Sequence, residues 1–429
     1  MRTVKVGLVG LGTVGSGVAR IVERHREHFR SRAGVDIDIV LFADKDPSRA
    51  EALGIPRDKF TEDAFEVVRR PDVDIVVELI GGTGVAKDVV LEALRAGKSV
   101  VTANKALMAS SGREVLDAAA ASGVDIAFEA AVGGGIPIIG PLKHSLVSNE
   151  ISSVVGIVNG TTNFILSRMA KEGMDFEEAL AEAQARGYAE ADPTADVDAH
   201  DSAAKIAVLA SIAFNSRVTF DQVPMEGIRD IKPIDIDYAR EMGYTIKLLA
   251  IARRTDDGID IRTHPTMIPA SHPLASVDDV YNAIYVVGDS VGQTMFFGEG
   301  AGSGPAASAV VGDVIEVARH VEGGCLGLVG CTCTEELPVR DISELSTRYY
   351  LRLRVLDRPG VLAATSEVLG RHQVSIASVI QKETYESGEA QIVFLTYQAE
   401  EAAVRTALEE IAGLDVVTGI GAVIRVEEL

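Results

Sequence analysis

Thr3-Val4-Lys5-Val6-Gly7-Leu8-Val9-Gly10-Leu11-Gly12-Thr13-Val14-Gly15 decides the fold. Residues 3–9 form a short apolar, β-branched run, three glycines follow at the spacing G-x-G-x-x-G, and a helical pattern continues through about Ser31. In that context Gly10 permits a tight turn, Gly12 lets backbone approach a pyrophosphate, and Gly15 lets the helix sit close to the sheet. The helix N-terminus, with Thr13 and Val14, then faces the phosphates. The motif alone is weak, but further strands are expected at Asp36–Ala43, Val73–Ile80, Ser99–Thr102 and Val124–Glu129, alternating with helices. The fold class is therefore α/β at the N-terminus: a Rossmann-type doubly wound sheet that binds a dinucleotide.

Asp44 ends the second expected strand, where an acid accepts from a ribose 2′-hydroxyl, while Lys45 and Arg49 are close enough in sequence to attract a 2′-phosphate. Asp44 also lies farther from the glycines than the usual spacing of about 20 residues, so NAD and NADP both stand. Thr83 follows the third expected strand and Lys105 the fourth, at the carboxyl edge where ligands bind in such sheets. Glu129 precedes Gly133-Gly134-Gly135, whose uncovered carbonyls act as a hinge or, with the Glu129 carboxylate, coordinate a hard cation. A further glycine loop ends in Gly302-Ser303-Gly304-Pro305 before another helical run.

The 429 residues, 47% hydrophobic and 24% charged, are enough for two or three domains. A formal net charge of −22 with no basic run opposes binding to nucleic acid. The N-terminus enters a strand at once, without signal-peptide character, and no uncharged apolar run is long enough for a membrane span, so a cytoplasmic protein is expected. Cys325, Cys331 and Cys333 leave an odd thiol and imply no disulfide framework; the C-x-C pair is read as reduced bystanders, with metal binding as the alternative.

The densest chemistry lies in Gly187–Lys205, GYAEADPTADVDAHDSAAK. A helix over Phe176–Arg186 should end at Gly187 in the left-handed C′ conformation, and Pro193 should keep the following segment irregular. Glu190, Asp192, Asp196, Asp198 and Asp201 supply five carboxylates, and a helix of small residues begins near Asp201 with Lys205 one turn later. One reading is a solvated acidic loop with an ordinary ion pair. The sharper one has Lys205 presenting an ammonium proton to a carbonyl oxygen while Glu190 and its neighbours hold a cationic amine. Gly160, Thr161 and Thr162 offer backbone donors and hydroxyls at a helix mouth, as a substrate carboxylate requires; a helix cap is the alternative.

The segments Gly187–Lys205, Gly156–Leu166 (GIVNGTTNFIL) and Thr102–Lys105 (TANK) together resemble homoserine dehydrogenase, in order and over nearly the whole chain. The resemblance implies an NAD(P)-dependent enzyme interconverting L-homoserine and L-aspartate 4-semialdehyde in threonine, methionine and isoleucine biosynthesis. Lys205, Lys105 and Asp201 become the catalytic candidates, and Gly160, Thr161, Tyr188, Glu190 and Asp201 the substrate-binding ones. It also implies a monovalent cation, Na+ or K+, on Glu129 and the carbonyls of Val132, Gly134 and Ile136, and a cofactor contact at Gly302. The loop after Thr83 departs from the family pattern at Gly84-Val85, as does the second glycine loop at Glu299 and Ala306.

Residues 1–137, completed by about 300–322, are expected to bind the dinucleotide, 138–299 to form an α+β substrate and dimerisation domain, and 323–348 to be a linker. From Tyr349 the pattern strand, turn Asp357–Gly360, helix, two strands, helix, final strand resembles a ferredoxin-like ACT regulatory domain at 349–429. The expected partners are a small-molecule substrate, an amino-acid effector such as L-threonine, and further copies of the chain in a homodimer or homotetramer. Truncation before Tyr349 should leave an active enzyme that threonine no longer affects. The rival reading is a non-catalytic sensor of nucleotide and amino acid.

Overall fold

The computed structural model describes residues 2–327, 330–384 and 388–429. The chain forms two compact units: Met1–Gly160, Ala204–Val223 and Tyr281–Leu337 in one, Thr161–Ala203, Pro224–Val280 and Pro338–Leu429 in the other.

In the first unit, parallel strands run in the order Phe60–Thr61, Asp36–Ala43, Thr3–Val9, Ile75–Glu78, Ser99–Thr102 and Ile126–Ala127. Thr3 pairs with Asp36 on one side and Val6 with Ile75 on the other, so strand order reverses at Thr3–Val9, and its carboxyl end opens a crevice for a ligand. Val4, Val6, Leu8, Ile37, Ile75, Val77 and Val101 are buried in one core with Val310, Val314 and Val317 of the helix Ser303–Gly323. Near-continuous apolar strands of this kind are what a sheet covered on both faces requires. Gly17 allows the late helix to approach, since a Cβ there would lie 2.7 Å from the Ser303 carbonyl oxygen.

Two strands are shorter than the sequence predicts. Val73–Ile80 contracts to Ile75–Glu78, because the Glu78 carboxylate draws in the N–H groups of Ile80 and Gly81 and bends the chain out of the sheet. Val124–Glu129 contracts to Ile126–Ala127, as Glu129–Ala131 turns into a short 3-10 helix. The same unit holds three antiparallel strands, Ile151–Ile157, Tyr281–Gly288 and Gly292–Glu299.

The second unit takes in the helix Gly160–Glu172 from Thr161 onward, and the helix Phe176–Ala185, closed at its start by reciprocal Asp175 and Glu178 caps. Pro193 does not leave the following segment wholly irregular: it stands at the N-cap of Thr194–Val197, a single helical turn. A long hairpin, Tyr244–Thr255 and Gly258–Pro269, is absent from the sequence expectations. The C-terminal elements are Ser346–Leu356, Val361–Arg371, Ile376–Thr384, Glu389–Thr396, Glu401–Ala412 and Val417–Val426. This is the expected ferredoxin-like order, with the fourth, first, third and second strands as neighbours. It is not a module hung on a linker, because Val417–Val426 pairs in parallel with Gly258–Pro269, placing Arg425 opposite Thr266.

Candidate active site

Gly10 has φ of 101° and a Cβ there would lie 2.7 Å from the Leu79 carbonyl, so only glycine closes this turn. A Cβ at Gly15 would overlap the Gly10 carbonyl oxygen. At Gly12 the space is open, and the nearest atom to such a Cβ is Arg49 Nη1 at 3.8 Å. Gly12, Thr13, Ser16, Arg20, Arg49 and Ser303 border a cleft of about 470 Å³. Gly302, with φ of 121°, precedes Ser303, whose hydroxyl donates to the Thr13 carbonyl at 2.8 Å and ties the second glycine loop to the first. Val14 is half-buried behind the loop.

Asp44 braces this loop by accepting the Leu11 N–H at 2.6 Å and the Asp46 N–H at 2.9 Å, with Arg49 Nη1 at 3.4 Å. Its charge is thus largely answered from within the fold, while Lys45 and Arg49 are exposed beside it. The glycines that forbid a Cβ, the open backbone at Gly12 and the cationic rim together fit a dinucleotide.

Across the strand ends, Glu78 is fully buried and accepts from Ile80 N at 2.7 Å, Gly81 N at 3.0 Å and the Thr102 hydroxyl at 2.7 Å. Thr102 in turn accepts the Asn104 N–H, and Asn104 donates to the Gly82 carbonyl and caps the Leu107 N–H. This chain of bonds fixes the loop leading to exposed Thr83 and the first turn of the helix Lys105–Ser122. Lys105 is half-buried as the first residue of that helix.

Lys205 belongs to the first unit and Asp201 to the second, on one helix, His200–Ala213, a single turn apart. Lys205 is 8% exposed and donates to the Val158 carbonyl at 2.6 Å, so its ammonium is oriented by the end of the strand Ile151–Ile157, two residues before Gly160.

The Glu129 carboxylate accepts three backbone N–H groups, from Ile138 at 2.5 Å, Ile139 at 2.7 Å and Gly140 at 2.6 Å. About one of its four lone-pair sites is left. Val132, Gly134 and Ile136 are buried, and among the described residues no hydrogen bond reaches their carbonyls. Buried carbonyls are ordinarily paired, and carbonyl and carboxylate oxygens are the donors a hard cation takes, so this set fits a cation with oxygen ligands.

In the second unit the Thr161 hydroxyl donates to the Tyr188 carbonyl at 2.7 Å, and the Tyr188 ring meets Phe164 edge-on at 5.1 Å. The Thr161 hydroxyl hydrogen is therefore committed within the fold, which leaves the backbone N–H groups of its helix for an anion. Asn163 bonds to the carbonyls of Val277 and Asp279, and buried Lys247 to Asn163 and Asp278, pinning this helix start. The acidic stretch does not act as one cluster. Asp198 pairs with Arg229 at 2.6 Å, the Thr194 hydroxyl and N–H hold the Asp192 carboxyl below its usual range, Glu190 is exposed, and Asp201 is buried.

Comparison with known proteins identifies the family. The family profile "Homoserine dehydrogenase, NAD binding domain" matches residues 10–129, and "Homoserine dehydrogenase" matches 137–315. The homoserine dehydrogenase of Corynebacterium glutamicum is 46% identical over 430 residues, covering 99% of this chain and 96% of the relative. The chain belongs to the homoserine dehydrogenase family. A crystal structure of a homoserine dehydrogenase from Thiobacillus denitrificans superposes with a TM-score of 0.94 at 44% identity, covering 100% of this chain and 99% of that one. A hyperthermophilic archaeal homoserine dehydrogenase in complex with NADPH matches at a TM-score of 0.64 and 26% identity, covering 74% of this chain and 98% of its own. The ACT domain profile matches residues 349–416. As an oxidoreductase of the homoserine dehydrogenase family, the chain is not favoured as a non-catalytic sensor. Sequence reading missed Glu78 and Asn104 as positioning residues. An isolated acid closing an apolar strand was the available signal for Glu78, and an N-cap residue directly before a helical lysine was that for Asn104.

Proposed function

We propose that this member of the family interconverts L-homoserine and L-aspartate 4-semialdehyde with NADP(H) in preference to NAD(H). Residues 1–137, completed by about 300–322, hold the dinucleotide, 138–299 build the substrate pocket and the dimer contact, and 349–429 sense an amino acid. Gly10, Gly12, Thr13, Val14, Gly15, Thr83, Lys105 and Gly302 hold the cofactor. Arg49 and Lys45 favour a 2′-phosphate beside an Asp44 already engaged by Leu11 N and Arg49. When bound, the cofactor supplies hydride exchange at the carbon that is aldehyde in one direction and alcohol in the other.

The observation that carries the reading is the buried Lys205 ammonium, fixed by the Val158 carbonyl at 2.6 Å in the unit that contains the glycine loop. Lys205 gives a proton to the substrate oxygen as it becomes an alkoxide, and its neutral amine accepts that proton in the reverse direction. Asp201, one turn earlier, orients the ammonium; Lys105 polarises the same oxygen or relays the proton. Backbone at Gly160 and Thr161 receives the substrate carboxylate, and Glu190, with Tyr188 alongside, its amino end. Glu129 and the Val132, Gly134 and Ile136 carbonyls hold one Na+ or K+ that keeps the following loop in place.

The test mixes purified protein with L-homoserine and either NADP+ or NAD+ and follows reduced-nicotinamide absorbance. Turnover with a higher kcat/KM for NADP+ is expected; absence of turnover with both defeats the reading.

A further inference from the structure

The helix Lys105–Ser122 and the distal half of the helix His200–Ala213 enclose a cavity of about 80 Å³ within the first unit, apart from the dinucleotide cleft. At ~10–15 Å³ for each water-sized group, it holds roughly five to eight such groups. Leu116, Phe128, Val208 and Ile212 give it apolar walls, and Arg217 a cationic end. Met108, Gly112 and Leu116 follow Lys105 at helical spacing, and Val208 and Ile212 follow Lys205 in the same way. The cavity thus lies along the two helix faces that carry the lysines.

Three observations point to a ligand. Arg217 Nη1 is sealed from solvent and, among the described residues, has no hydrogen-bond partner, while Nη2 reaches the soft acceptor Cys331 Sγ at 3.9 Å. A buried guanidinium donor is ordinarily paired. The lining contains Arg113 and Arg217 and no acidic residue, in a chain of net charge −22. Burial, with Cys331 alongside, pushes the lining thiol of Cys333 up to about 12, so it stays neutral and does not oppose an anion. Finally, the helix Lys105–Ser122 breaks at the cavity wall: Ser111 has φ of −127° and ψ of 15°, between the lining residues Ser110 and Gly112. The break leaves Lys105 on a short helical segment that ends beside the cavity.

We propose that this cavity is a second ligand site, taking a small monocarboxylate with a short apolar body and no ammonium group. Its carboxylate lies on the Arg217 guanidinium, and its occupancy fixes the helical segment that carries Lys105. An ammonium is excluded by the absence of a carboxylate in the lining, which separates this ligand from an amino acid. The binding half stands on the cavity and Arg217 alone; the regulatory half rests on the role of Lys105 proposed above.

The test titrates the full chain, 13C-labelled at methionine methyls, with pentanoate, pentan-1-ol and pentylamine, and follows the Met108 resonance. Pentanoate should shift it saturably at millimolar concentration, with the alcohol and amine at least tenfold weaker. Arg217→Met should weaken pentanoate at least tenfold, and if that variant does not fold, the three-ligand series on the native protein still decides. Equal responses to pentanoate and pentan-1-ol, or no saturable shift up to tens of millimolar, overturns the site. In turnover assays, saturating pentanoate should change kcat at least twofold in the native enzyme and leave Arg217→Met unaffected. Binding with unchanged kcat overturns the regulatory half, and a protein inactive on homoserine leaves the binding result readable.

Discussion

Lys205 and Lys105 are both lysines of the first unit, yet their settings differ enough to separate them. Lys205 is 8% exposed and anchored to Val158, away from the glycine cleft, so Lys205→Ala should lower kcat by at least a thousandfold with dinucleotide affinity changed less than threefold, measured by fluorescence titration. Near-normal turnover removes it from the chemistry. Lys105 begins the helix capped by Asn104 at the strand edge, so Lys105→Ala should impair kcat and cofactor affinity together. A change in affinity alone would confine it to cofactor binding. These lysines were legible in the sequence because a charge amid small apolar residues is conspicuous. Glu78 was not, since its importance comes from accepting the N–H groups of Ile80 and Gly81 and the Thr102 hydroxyl, 24 residues away in the chain.

At the scale of elements, the two-residue, half-buried strand Phe60–Thr61 escaped the sequence, but the other strands around the glycine loop were readable to within about two residues because apolar runs mark them. The hairpin strand Gly258–Pro269 was not. It buries Arg262, Thr263, His264 and Thr266, so neither alternation nor an apolar run marks it, and the carboxylate that answers Arg262 comes from far along the chain. Arg262 bonds to Glu427, and Arg425 bonds to Glu401 at 2.6 Å and Glu226 at 2.8 Å. On the next strand, Arg352 clasps fully buried Asp235 of the helix Pro233–Glu241 through Nε at 2.6 Å and Nη2 at 2.9 Å, while the Tyr350 hydroxyl donates to it at 2.9 Å. Removing the aspartate charge strands the guanidinium, and breaking a buried pair in this way costs about 3–5 kcal/mol. Asp235→Asn should therefore lower the urea midpoint with little change in slope, whereas a loss below about 1 kcal/mol would mean the pair is solvated.

For the whole molecule, buried charge makes stability depend on pH. Burial, with Arg425 and Arg262 nearby, lowers the His264 pKa well below its ordinary value. The unfolded chain thus takes up that proton first, and the stability involved is full above about pH 6.5 and is lost as pH falls below it, at up to about 1.4 kcal/mol per unit. His264→Gln should flatten the dependence of unfolding free energy on pH between about 6 and 5. An unchanged slope would place the acid sensitivity elsewhere. An amino-acid effector at the C-terminal turn would act through the same junction. Gly360, with φ of 93°, ends the turn Asp357–Gly360 and opens the helix Val361–Arg371, whose first N–H groups can receive a carboxylate. The strand Ser346–Leu356 leading into that turn also carries Tyr350 and Arg352, which grip Asp235. An effector that shifts this strand therefore acts directly on the helix Pro233–Glu241, and a coupling of ~1–3 kcal/mol is enough for inhibition. Deleting 349–429 would strip the partners from Asp235, Glu226 and Arg262, so a truncated chain should lose soluble yield and not simply become threonine-insensitive. The informative variant is Gly360→Val, which strains the left-handed turn but leaves the buried pairs intact. The native enzyme should lose activity at millimolar L-threonine, and Gly360→Val should keep its basal kcat while needing at least tenfold more threonine. If the native enzyme ignores threonine and the other aspartate-family amino acids, the C-terminal strands serve assembly and the pairs around Asp235 hold the fold alone.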